Sequence, residues 1–82
     1  INLSRNFDYG QVSVVITAQD RSGIEKVEYA WSTSSTSAGT YNTIANGGTV
    51  TVSNKGVWFL HARVTDKSGN VATLVEGQYI VP

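Results

Sequence analysis

The 82-residue chain has no cysteine and no methionine, and its one proline is Pro82. Without thiols there is no disulfide staple, no thiolate metal site and no cysteine nucleophile, so the fold must hold by apolar packing and backbone pairing. Six basic residues balance six acidic ones with no run of one sign, which denies the chain the electrostatic footprint of a nucleic-acid binder. No apolar run approaches the roughly 20 residues of a membrane-spanning helix, and the first residues form neither a basic nor a signal-like apolar region. Membrane insertion is not expected, and balanced charge gives no reason to expect more than a monomer. Two halves of this chain would each be too small for a core of their own, so residues 1–82 read as a single module. Opening on Ile1 with no methionine anywhere, it is expected to be a piece excised from a larger multidomain protein.

What the chain does have is Val, Ile and Thr, with apolar residues at period two, the spacing of strands. In Gln11–Asp20, Val12, Val14, Ile16 and Ala18 alternate with Ser13, Val15, Thr17 and Gln19. In Ile24–Ser32, Val27, Tyr29 and Trp31 oppose Lys26, Glu28 and Ala30; in Val57–Asp66, Trp58, Leu60, Ala62 and Val64 oppose Phe59, His61 and Arg63. Shorter strands are expected at Asn2–Phe7, Tyr41–Ala45 and Thr49–Ser53, and Val71–Val81 closes the chain with Gly77 as a bulge or bend. Between them lie turn signals: D-x-S-G at Asp20–Gly23 and at Asp66–Gly69, Asn46-Gly47-Gly48, and Asn54-Lys55-Gly56. In D-x-S-G the carboxylate can accept amides two or three residues on while Gly supplies a positive φ, so both Asp residues read as turn caps. Ser32–Thr40 is small, polar and uncharged, the composition of a flexible loop.

Seven short strands without a helix predict an all-β fold, a seven-stranded antiparallel Ig-like β-sandwich of immunoglobulin or fibronectin-III type, with a small barrel as the alternative. In that topology the loops after the second and sixth strands, the Asn46–Gly48 turn and the N-terminus share one pole. The C-terminus leaves from the other.

Asp20-x-Ser22-Gly23-Ile24 with Val27-x-Tyr29, then Gly56-Val57-Trp58-x-Leu60-His61 leading to Asp66-Lys67-Ser68-Gly69-Asn70-Val71, resembles the bacterial Ig-like repeats of secreted and cell-wall-attached proteins. The resemblance implies an extracellular, non-catalytic structural or spacer module, strung in tandem, whose partners are the neighbouring domains of its own chain. The alternative is an accessory binding module for polysaccharide, cell-wall glycan or a host surface protein, as in adhesin repeats.

Candidate chemistry is sparse. Glu25 and Glu28 should point to opposite faces of a strand, and the one imidazole, His61, lies mid-strand with no nucleophile elbow, so no catalytic residue and no cofactor is expected. Asp20, Asp66 and Asn70 are weak candidates for a Ca²⁺ ion that would stiffen an interdomain joint. Trp31 and Trp58 fall in inward registers and are assigned to the core. Phe59, His61 and Arg63, with Tyr41, make the candidate binding face, and Tyr9 is a further exposed aromatic. A Glu28–Arg63 cross-strand pair is expected beside them.

Overall fold

The computed structural model describes residues 1–8 and 10–82, the side chains of Asn6, Phe7 and Asp8 excepted. The described residues form seven strands and no helix: β1 (Asn2–Asp8), β2 (Gln11–Thr17), β3 (Ile24–Ser32), β4 (Asn42–Ile44), β5 (Thr49–Val52), β6 (Gly56–Asp66) and β7 (Val71–Val81). They build two antiparallel sheets, one ordered β1-β2-β5 and the other β4-β3-β6-β7, in a body of 40 × 23 × 16 Å.

The period-two pattern explains the layers. Val12, Val14 and Ile16 of β2, with Val50 and Val52 of β5, turn inward from the three-stranded sheet. Val27, Leu60, Ala62, Val64, Tyr79 and Val81 meet them from the four-stranded sheet. Burying a Val, Leu or Ile side chain stabilises by about 1.5–3 kcal/mol, the main favourable contribution in a chain without cross-links. Trp31 and Trp58 are half-buried against this core, and Trp31 meets Tyr79 edge-on, with ring centroids 5.8 Å apart. Arg5 of β1 closes the gap to β7, with Nε 3.2 Å from the Glu76 carboxylate and its guanidinium 5.6 Å from the centre of the Tyr79 ring.

Two local features depart from the simplest alternation. β2 stops at Thr17 rather than Asp20 because the Asn46 side chain takes over the backbone of Ala18: the Ala18 amide donates to Asn46 Oδ1 (3.0 Å) and Asn46 Nδ2 donates to the Ala18 carbonyl (2.9 Å). In β7, Trp58 pairs with Tyr79 and Leu60 with Glu76, so Gly77 and Gln78 together oppose Phe59 in a bulge. The Phe59 ring lies so close that a Cβ on Gly77 would sit 2.5 Å from Phe59 Cδ1, which is why this position lacks a side chain.

β1 starts, and β7 starts, at the same end of the sandwich: Asn2 pairs with Thr17, and Val71 with Thr65. β7 ends at the other, where Val81 pairs with Gly56. The two termini therefore leave from opposite poles.

Candidate functional site

At the N-terminal pole the two D-x-S-G segments fold into near-identical turns. The Gly23 amide donates to the Asp20 carbonyl and the Gly69 amide to the Asp66 carbonyl, both at 3.1 Å, and the two glycines hold φ of +88° and +91°. A side chain would be strained at either, so the glycines are part of the turn chemistry. Each Asp then caps its own turn. Asp20 Oδ2 accepts from the Ser22 amide (2.9 Å) and hydroxyl. Asp66 accepts from the amides of Ser68 and Asn70 (both 2.9 Å) and from Asn70 Nδ2 (3.1 Å). The Ser22 hydroxyl and amide hold the Asp20 carboxyl below the usual carboxylate range.

The turns are also joined to each other and to the second sheet. The Lys67 amide donates to the Gly23 carbonyl (3.0 Å), while the Lys67 side chain lies along Gly23. On the other side, the Gly47 amide donates to the Ile16 carbonyl (2.8 Å) and the Ile16 amide to the Gly48 carbonyl (3.0 Å), alongside the Asn46 clamp on Ala18. Three connections are thus bound into one polar cap. Beside it opens a cleft of about 290 Å³, lined by Ile24, Val64 and Ala72 together with Asp20, Asp66 and Asn70. Among the described residues no group of three His, Cys, Asp or Glu side chains gathers. Both carboxylate oxygens of Asp66 are engaged by N–H groups of their own turn, and Asp20 Oδ2 by the N–H and O–H of Ser22.

The outer face of the four-stranded sheet brings Phe59, His61, Arg63 and Tyr41 together, but each is held by a neighbour within the chain. Glu28 and Arg63 are directly opposite across β3 and β6, and the guanidinium grips the carboxylate with two bonds of 3.0 Å, Nε to Oε1 and Nη2 to Oε2. Glu28, only 7% exposed, has its carboxyl held below the usual range, first by the Arg63 bond and against the opposing pull of burial. The same guanidinium lies 4.0 Å from the centre of the Tyr41 ring, a cation–π contact that covers that ring. His61 is 3% exposed, its Nε2 2.7 Å from the Ser34 carbonyl. A carbonyl can only accept, so Nε2 carries the proton.

The burial of His61 comes from the Ser32–Thr40 segment folding back over the sheet. Its hydroxyls organise it locally: Ser32 Oγ donates to the Ser37 carbonyl (2.7 Å), and Ser34 Oγ accepts the amides of Thr36 and Ser37 (both 3.1 Å). Alternation along β6 put His61 on the outer face, yet nothing in a Ser/Thr-rich composition signals where the loop will lie. The sequence marks Asn46 as a turn residue, and its role as a clamp on β2 has no sequence signal beyond an Asn before Gly-Gly. Tyr9 lies outside the described residues. The chain matches no protein-family model, no curated protein and no solved structure.

Proposed function

We propose that this domain is a non-catalytic structural module of a bacterial extracellular or cell-surface protein, with an Ig-like sandwich of fibronectin-III type, that holds neighbouring domains of its own chain at a fixed separation. The observation that carries this reading is the placement of the termini. β1 and β7 both run from the N-terminal to the C-terminal pole, in different sheets. Tension applied through Ile1 and Pro82 acts along β1 and β7 and loads their ladders with β2 and β6 in shear. All the hydrogen bonds of a ladder then resist together, where peeling would break them one at a time.

The polar cap adds to this, because it ties both sheets together at the pole that would meet a preceding domain. Within the alternative of an accessory binding module, glycan binding needs an open aromatic platform. Tyr41 lies under Arg63 and Phe59 lies against Gly77, which favours the structural reading over that one.

Single-molecule pulling separates the two geometries. Stretched between Ile1 and Pro82, the domain should rupture in one step and at a higher force than when stretched between Ile1 and a cysteine placed at Ser68, both at the same pole. Equal forces, or gradual low-force extension between the termini, would remove the basis of the proposal.

A further inference from the structure

The four sheet edges are unequal. β4 and β5 are three and four residues long, and β1 sends Arg5 across to Glu76. β7 is eleven residues long, with Glu76 its one charge. Between Val71 and Val75 it carries no charge, and Val71, Leu74 and Val75 are exposed at 58%, 37% and 43%. On a free edge every second residue turns its N–H and C=O outward, a template for another strand unless charge, proline or a bulge intervenes.

We propose that β7 is an interface for a second copy of this chain, pairing antiparallel with its counterpart about a two-fold axis through Thr73. The sequence of the edge is self-complementary in that register. Val71 faces Val75 on the outer side, Ala72 faces Leu74 on the inner side, and Thr73 faces Thr73 on the axis. Thr–Thr pairs stabilise antiparallel ladders, and the Val–Val pairs take exposed apolar surface out of water. An axis through Glu76 would oppose two carboxylates, and one through Val75 would run the pairing into the bulge at Gly77 and Gln78. An axis through Leu74 would set Ala72 against Glu76. The balanced net charge, which gave no reason to look beyond a monomer, also raises no repulsion between copies.

Pairing joins two four-stranded sheets into one of eight strands and continues the exposed valines of one copy into those of the other. The contact is short, below the roughly 1,200 Å² of a standard interface, and the dimer belongs to the weak, reversible class. It does not depend on the structural-module reading.

Sedimentation equilibrium of the whole chain tests it. A monomer–dimer equilibrium with a Kd on the order of 10⁻⁴ M is expected. Val75→Lys should weaken it by about tenfold or more, whereas Ile80→Lys, on the same face but outside the register, should change it by less than about twofold. A monomer at all concentrations, or equal loss in both variants, overturns the proposal. Because the native chain has no cysteine, Thr73→Cys should yield a disulfide-linked dimer on mild oxidation much faster than Ser53→Cys. Equal rates would overturn the register.

Discussion

Glu28 and Asp20 have ionisations displaced by named neighbours and Tyr79 one displaced first by burial, and each displacement makes stability depend on pH. The folded carboxyls of Glu28 and Asp20 titrate below their ordinary values of 4.5 and 3.8. Between folded and unfolded values the unfolded chain binds more protons, so stability rises with pH there. Their contribution is complete above the ordinary range and is lost as pH falls through the lowered values. Tyr79 acts at the other end: burial first, then the adjacent Glu76 carboxylate, raises its phenol above 10.0. Its contribution is complete below pH 10 and is lost on further alkalinisation, when the unfolded chain releases the proton more readily. Thermal unfolding from pH 2 to 12 should give a plateau bounded by two falls, and Glu28→Gln should lower the plateau by about 1 kcal/mol while flattening the acid limb. The pairing of Glu28 with Arg63 was legible from the alternation of two strands, since opposite residues of a ladder share a face. The burial of His61 was not, because it depends on a loop that no periodicity places.

Gly77 shows the same division at the level of an element. A glycine in a strand pattern announces a bulge, and Trp58 opposite Tyr79 with Leu60 opposite Glu76 bears this out. What the sequence does not reveal is that Phe59 fills the space. Gly77→Ala should cost about 1–3 kcal/mol by overpacking, and Phe59→Leu in the same chain should recover part of that loss in a double-mutant cycle. The twin D-x-S-G turns were readable because each is a local hydrogen-bond pattern within four residues. Asp66 accepts three bonds and Asp20 two, so Asp66→Ala should depress Tm more than Asp20→Ala, as differential scanning calorimetry would read. β4 marks the limit of pattern reading. At three residues it has no period to detect, and its place beside β3 is decided by tertiary pairing of Val27 with Ile44 and Tyr29 with Asn42.

For the whole molecule, two antiparallel sheets followed from seven short alternating segments, and the shared pole of Asp20, Asp66 and the Asn46–Gly48 turn followed from strand order. The bonds that fuse this pole did not, because Asn46 to Ala18 and Lys67 to Gly23 join residues distant in sequence. The proposal that the domain fixes the separation of its neighbours requires that pole to be as stiff as its core. Native-state hydrogen exchange tests this most directly, by comparing the amides of Ala18, Gly47 and Lys67 with those of Val14 and Leu60 across a denaturant series. The account predicts that all five merge onto one isotherm and exchange only through global unfolding. Exchange of Ala18, Gly47 and Lys67 through local openings insensitive to denaturant would contradict it.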